Sequence, residues 1–176
     1  PLIGNKSFSG PADKYMEAAG IEVSVFVISD GKDYIILPEA KDYKRIGEND
    51  TGLNTGGMGA VSPVNFATKQ FLQLVEESII KPTVDGLNNE NINFTGFIFI
   101  GLMNVQGKPY VIEYNVRMGD PETQVVIPRI KNDFVDIILK CVNNRIKEIE
   151  LEIENRFATT VILASNGYPK KYSKGD

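Results

Sequence analysis

The run from Tyr110 to Gln124 reads Tyr-Val-Ile-Glu-Tyr-Asn-Val-Arg-Met-Gly-Asp-Pro-Glu-Thr-Gln and puts a carboxylate, an amide and a guanidinium at Glu113, Asn115 and Arg117. Side chains in a strand alternate between faces, so these three are expected in one row, roughly 6 to 7 Å apart. A carboxylate and a neutral amide oxygen are hard ligands that suit Mg²⁺ when phosphate oxygens and waters complete its shell. A guanidinium next in the row can hold a phosphate or carboxylate through its forked donors. Taken alone the pattern is short, and a solvated polar edge strand explains it better than a ligand row does.

A second segment, Lys41 to Ala60, contains Lys44-Arg45, three acidic residues (Asp42, Glu48, Asp50) and glycines at 52, 56, 57 and 59. The glycines permit positive φ and close backbone approach to a ligand, and successive exposed amides can cradle an anion. The acidic residues can receive an amine or position the two cations. A flexible solvated loop accounts for the glycine content equally well. The spacing matches neither a P-loop nor a dinucleotide-binding glycine turn.

The rest of the composition limits what these groups can do. There is no histidine, which removes the commonest acid-base group, so any catalysis must work through charge and positioning. The single cysteine, Cys141, sits in an apolar helical pattern and reads as a buried structural thiol. A net charge of -4 without a basic cluster argues against nucleic-acid partners. No apolar run approaches the roughly 20 residues of a bilayer span, and the opening residues lack a signal peptide's organisation, so no membrane association and a cytoplasmic location are expected. A start at Pro1 without an initiator methionine suggests part of a longer protein.

The elements that must position these residues follow from periodicity. Val23 to Ile28 and Tyr34 to Leu37 predict a hairpin turned at Asp30-Gly31. Pro38 to Pro63 shows no sustained period and predicts a long ordered loop. Phe71, Leu74, Val75 and Ile79 predict a helix from Thr68 to about Ile80, limited by Pro82. Phe97 to Met103 and Tyr110 to Asn115 predict a second hairpin through Gln106 to Pro109, and a helix capped by Asn132 or Asp133 is expected to stop at Asn143-Asn144. Ala158 to Ala164 predicts a last strand. Locally paired strands separated by two helices indicate an α+β fold with a mainly antiparallel sheet.

Several long motifs carry a family resemblance in one order: Asp42-Tyr-Lys-Arg-Ile-Gly, Asp50-Thr-Gly-Leu-Asn-Thr-Gly-Gly-Met-Gly-Ala, Gly101-Leu-Met, Ile112-Glu-Tyr-Asn-Val-Arg-Met-Gly-Asp-Pro-Glu-Thr-Gln and Ala164-Ser-Asn-Gly-Tyr-Pro. From about Gly20 to Asp176 the chain resembles the phosphoribosylamine-glycine ligases, ATP-grasp enzymes of purine biosynthesis. The resemblance implies that residues 21–147 are the larger ATP-grasp subdomain and that 148–176 are a linker and the start of a small carboxyl-terminal domain. It implies ATP, glycine and 5-phosphoribosylamine as substrates, with Glu113 and Asn115 as ligands of Mg²⁺ or Mn²⁺ and Arg117 steadying the transferred phosphoryl group. Lys44, Arg45, Asn54, Thr55, Gly56 and Gly57 would then border the substrate pocket. Asp120 and Glu122 would orient Arg117 or contact substrate, unless they serve a structural turn around Pro121. Glu22 would approach the nucleotide, an exposed strand-end glutamate being the alternative.

Residues 1–20 depart from the family pattern. The segment Ala12 to Ala19 looks helical, and the small lid subdomain that should follow it is expected to be absent. The remaining alternatives are another ATP-grasp carboxylate-amine ligase or carboxylase, or a non-catalytic nucleotide-binding module.

Overall fold

A computed structural model describes residues 20–172 and 174; the expected helical remnant before Gly20 lies outside the described residues. Its centre is a four-stranded antiparallel sheet in the order β2-β1-β7-β8, made by Tyr34–Ile36, Ile21–Ser29, Gly96–Val105 and Lys108–Asn115. β1 pairs with β7 along its whole length, from Ile21 opposite Asn104 to Ser29 opposite Gly96. Both predicted hairpins form. The β7–β8 turn has Gln106 and Gly107 at φ 52° and 83°, the two positive angles of a type I′ turn whose twist matches the strands it joins.

β1 is buried on both faces because both of its alternating sets are apolar. Val23, Val25 and Val27, with Ile98, Ile100 and Leu102 of β7, pack beneath a helical layer through Phe71, Val75, Ile80 and Val84. Phe26, Ile28 and Phe99 face a second layer containing Leu37, Ala40, Ala60, Val125, Ile137 and Cys141. This layer includes a small sheet in the order β3-β6-β9 (Lys41–Asp42, Gly59–Ser62, Ala158–Val161). Cys141 is buried and its thiol reaches the Ser29 carbonyl at 3.1 Å, a packing role.

Two expectations are corrected. The stretch from Pro38 to Pro63 is not a loop: besides β3 and β6 it holds the hairpin β4 (Arg45–Gly47) and β5 (Thr51–Asn54). These strands are two to four residues long, too short to show a period, and β3 and β6 find their partners across the fold. The first helix does not stop at Pro82. It runs from α1 (Lys69–Val75) through a π-helical turn (Glu76–Ile80) into α2 (Lys81–Asn89). The wider turn lets Lys81 N–H bond the Glu76 carbonyl and brings Pro82 into the opening turn of α2, where a missing N–H costs little.

A short helix α3 (Thr123–Val126) precedes α4 (Phe134–Val142), which Asp133 caps through bonds from Val135 N–H and Asp136 N–H, as expected. Residues after 147 are integrated with those before: β9 pairs with β6, and Ile149, Leu151 and Ala158 pack on the second core. Buried Arg129 ties this segment down, donating to Ser62 Oγ at 2.8 Å and twice to the Glu154 carbonyl.

Candidate functional site

The core face of the sheet becomes the site along one side-chain row. In β1 the side chains at Ile28, Phe26, Ser24 and Glu22 share a face, so two apolar residues over the second core are followed by a hydroxyl and a carboxylate. Ser24 lies opposite Gly101 of β7, and Gly101 lies opposite Glu113 of β8. Gly101 is the low point of this cross-strand row. A Cβ there would stand 3.0 Å from Glu113 Cγ, so glycine leaves the space into which the glutamate extends. A β-bulge at Ile112 precedes Glu113, and both residues line the same small cavity of about 20 Å³ with Glu22, Ser24, Asp42 and Lys44. A larger cleft of about 360 Å³ lies beside it, sharing Glu22, Asp42 and Lys44 and adding Arg45, Asp50, Asn54 and Met103.

Lys44 sits between two of the carboxylates, 3.1 Å from Glu22 Oε2 and 3.2 Å from Asp42 Oδ2. The Asp42 side chain is 5% exposed and that of Lys44 37%. Burial pushes the Asp42 carboxyl up to about 6; Lys44 opposes the shift, and Glu122 and Glu22 add to it. For Lys44 burial acts downward, but Glu22 and Asp42 outweigh it and hold the ammonium above its ordinary value. The pair is asymmetric because the aspartate loses far more water than the half-exposed lysine. Asp42 Oδ1 is buried with no hydrogen-bond partner among the described residues.

The glycine-rich segment closes over this cluster. Gly57, at φ 122°, is so close to Pro121 that a Cβ would collide with Pro121 Cδ and fall 3.1 Å from Asp42 Oδ1. Thr55 fixes the turn: its hydroxyl donates to the Lys44 carbonyl at 2.8 Å and accepts from Gly57 N–H at 3.0 Å. Gly56 N–H reaches the Tyr168 hydroxyl at 3.3 Å. Arg45 and Asn54 pair across the β4–β5 hairpin at the cleft, with Arg45 Nη1 donating to the Gly52 carbonyl.

The structure divides the residues of the β8 motif. Glu113 and Asn115 lie in the strand, but β8 ends at Asn115, so the expected three-residue row is broken. Arg117 is exposed past the strand end and donates to the Met118 carbonyl at 2.9 Å. Asp120 accepts from Gln124 at 3.0 Å, and buried Glu122 accepts from Ser24 Oγ at 2.8 Å, so neither carboxylate orients Arg117 here. The chain bends at Val116 and Arg117 directly after the strand, which ends the alternation. Ser24 and Gly101 escaped sequence reasoning as site residues; the same-face series Glu22, Ser24, Phe26 was the signal for the first.

Glu113 and Asn115 offer the oxygen donors that Mg²⁺ or Mn²⁺ takes. Among the described residues no group of three or more His, Cys, Asp or Glu side chains is arranged to hold a metal. An ion on this edge would therefore rest on few protein oxygens and complete its shell with waters and phosphate oxygens, which is how magnesium binds with nucleotides. The donor set fits that use.

Comparison with known proteins places these motifs in one family. The phosphoribosylglycinamide synthetase ATP-grasp (A) domain matches residues 14–123. The phosphoribosylamine–glycine ligase of Chlorobaculum tepidum is 44% identical over 97% of this chain and 41% of its own length. A bifunctional purine biosynthetic protein of Pichia angusta is 43% identical over 99% of this chain and 23% of its own. The crystal structure of the Thermotoga maritima phosphoribosylamine–glycine ligase superposes with a TM-score of 0.80 at 39% identity, over 89% of this chain and 39% of that one. The chain thus spans less than half the length of these relatives. With the domain match covering most of the chain and identities above 40% across nearly all of it, the chain belongs to the phosphoribosylglycinamide synthetase ATP-grasp family.

Proposed function

We propose that this chain is the larger ATP-grasp portion of a phosphoribosylamine-glycine ligase, which joins glycine to 5-phosphoribosylamine with release of ADP and phosphate in the cytoplasm. The observation that carries the reading is convergence: Glu113 from the β8 motif and Asp42 and Lys44 from the glycine-rich segment, far apart in sequence, line one cavity. Glu113 and Asn115 hold the Mg²⁺ or Mn²⁺ that accompanies ATP; the ion supplies neutralisation of phosphate charge. Lys44, beside the same cavity, adds a fixed positive charge, and Arg117 is the candidate to steady the phosphoryl group once it turns from Met118.

In this reading the glycine carboxylate attacks the γ-phosphorus of ATP, the bond to the β-γ bridging oxygen breaks, and ADP leaves with glycyl phosphate formed. The phosphoribosylamine nitrogen then attacks the acyl carbon, the C–O bond to phosphate breaks, and the nitrogen loses a proton. Positioning and charge suffice for such chemistry, which suits a chain without histidine. Lys44, Arg45, Asn54 and the Thr55-Gly56-Gly57 turn border the substrates, Glu22 stands at the nucleotide end, and Asp120 and Glu122 support the turn beneath.

The 176 residues alone are expected to be inactive, since the relatives carry more than twice this length and the lid that closes over the nucleotide is expected outside it. The test is ADP release, in the complete protein carrying this chain, dependent on both glycine and phosphoribosylamine. Glu113→Gln is expected to lower turnover at least about 100-fold with the fold intact. Near-normal turnover would remove Glu113 from the metal role, and ADP release indifferent to glycine would refute the ligase.

A further inference from the structure

The motif Ala164-Ser-Asn-Gly-Tyr-Pro169 has no part in the proposed chemistry, yet the fold brings it to the glycine-rich turn. β9 pairs with β6 from Ala158 opposite Ser62 to Val161 opposite Gly59, and Ile162 N–H extends the pairing to the Met58 carbonyl at 2.9 Å. The chain then turns back between Ser165 and Tyr168, closed by a 3.1 Å bond from Tyr168 N–H to the Ser165 carbonyl, with Gly167 at φ 98°. A Cβ at Gly167 would also stand 2.7 Å from the Lys171 carbonyl oxygen, so this turn requires glycine. It carries the Tyr168 hydroxyl to Gly56 N–H, at 3.3 Å.

Glycine loses more backbone freedom on ordering than any other residue, so the pair Gly56-Gly57 keeps one shape only where neighbours restrain it. Thr55 N–H donates to the Lys44 carbonyl at 2.8 Å, Gly57 N–H to Thr55 Oγ1 at 3.0 Å and Met58 N–H to the Tyr43 carbonyl at 2.7 Å. Gly57 is also wedged against Pro121. Gly56 is exposed, and the Tyr168 hydroxyl oxygen is the one heavy atom within 4 Å of a Cβ built there, its chain neighbours set aside. Among the described residues Tyr168 therefore holds the middle of the turn. The tyrosine is itself braced, its ring edge-on to Tyr172 with centroids 5.6 Å apart. With every amide from Thr55 to Met58 bonded inside the protein, the turn works through its shape and not as an anion cradle.

We infer that Tyr168 is a positioning residue for substrate binding, its hydroxyl accepting from Gly56 N–H and so holding the Thr55-Gly56-Gly57 turn in the shape that borders the substrates. This rests on the ligase reading, which sets that turn against glycine or 5-phosphoribosylamine, and it gives the carboxyl-terminal segment a part in their affinity. Tyr168 touches no reacting atom. Without its hydroxyl the turn populates other conformations, and apparent affinity falls with the fraction that still fits the substrate. Glu113 and Asn115 are set by the pairing of β8 with β7, independently of this contact, so ATP affinity is expected to hold.

The experiment compares wild type with Tyr168→Phe in the complete protein carrying this chain; the variant removes the hydroxyl and keeps the ring against Tyr172. With KM measured for each substrate by ADP release, loss of this hydrogen bond is expected to raise KM for glycine or 5-phosphoribosylamine about 3- to 10-fold, with KM for ATP within about twofold of wild type. Unchanged KM for both amine substrates overturns the inference, and so does an equal rise for ATP, which would mark a general loss of structure. Hydrogen exchange gives a readout that needs no turnover. Amides of residues 55–57 are expected to exchange at least about 3-fold faster in Y168F, while those of β1 and β7 keep their wild-type rates. Equal exchange in the two proteins, or faster exchange throughout the sheet, overturns the positioning role. Wild-type protein without glycine-dependent ADP release would instead refute the ligase reading, and the exchange comparison would still decide whether Tyr168 holds the turn.

Discussion

Replacing Asp42 by asparagine is expected to stabilise the fold near neutral pH. In the folded chain the Asp42 carboxyl is pushed up to about 6 from an ordinary value of 3.8. That displacement is worth about 3 kcal/mol between the two protonation states. Between about pH 4 and pH 6 the folded chain holds the Asp42 proton more tightly than the unfolded chain, so this stabilising contribution is complete below the unfolded value and is lost as pH rises through about 6. At pH 7.5 the ionised aspartate therefore costs stability that a neutral amide does not. Part of the gain is returned, because the amide brings N–H donors to a place without a spare acceptor. A net stabilisation of about 1 to 2 kcal/mol remains, or about 2 to 8 °C in melting temperature for a chain this long. Thermal melts of wild type and D42N at pH 7.5 and 4.5 should show the gap at the higher pH and its near disappearance at the lower. A variant less stable by about 1 kcal/mol at pH 7.5, or an equal gap at both values, would refute the reasoning.

The glycine-rich turn and the carboxyl-terminal tie give two further expectations. Gly57→Ala should cost about 2 to 4 kcal/mol in chemical denaturation, because φ 122° is foreign to an L-residue and the methyl would meet Pro121. Gly56→Ala, whose Cβ would find only the Tyr168 hydroxyl at 3.8 Å, should stay within about 0.5 kcal/mol; similar losses at both positions would show that the seat of Gly57 is not specific. Arg129→Met should destabilise by about 2 to 3 kcal/mol, since it leaves the Glu154 carbonyl without its two guanidinium donors and takes away the bond that Ser62 Oγ accepts, and limited proteolysis should then cut first near residues 154–157. Global unfolding without that early cut would mean that the tie is not local.

The elements legible in the sequence are those whose pattern is local. The two hairpins announce themselves through β-branched runs and short turns between them, and α4 through an aspartate cap and an apolar 3.6-residue period. What stayed hidden depends on partners distant in sequence. β3 has two residues, and it is a strand only because Lys41 and Asp42 meet Val61 and Ala60 of β6, which in turn pairs with β9 about a hundred residues later. The helix continuing through Pro82 hinges on one i to i−5 turn that no period predicts. The site followed the same division. Glu113 and Asn115 were legible as a pair because alternation within one strand is a local rule, whereas Arg117 lay beyond the strand end, which the sequence did not mark.

Asp42 shows why motif reading identifies the members of such a site better than their roles. In sequence it is one of three acids beside Lys44-Arg45, indistinguishable from Glu48 and Asp50. Folding separates them by burial: Glu48 and Asp50 stay exposed on the β4–β5 hairpin, while Asp42 is drawn under Gly57 and Pro121 by the pairing of β3 with β6. Burial converts an ordinary carboxylate into one that is costly to keep ionised and leaves one of its oxygens without a donor among the described residues. The same sheet that carries the core carries this cost, because Ile28, Phe26, Ser24 and Glu22 stand on one continuous strand face.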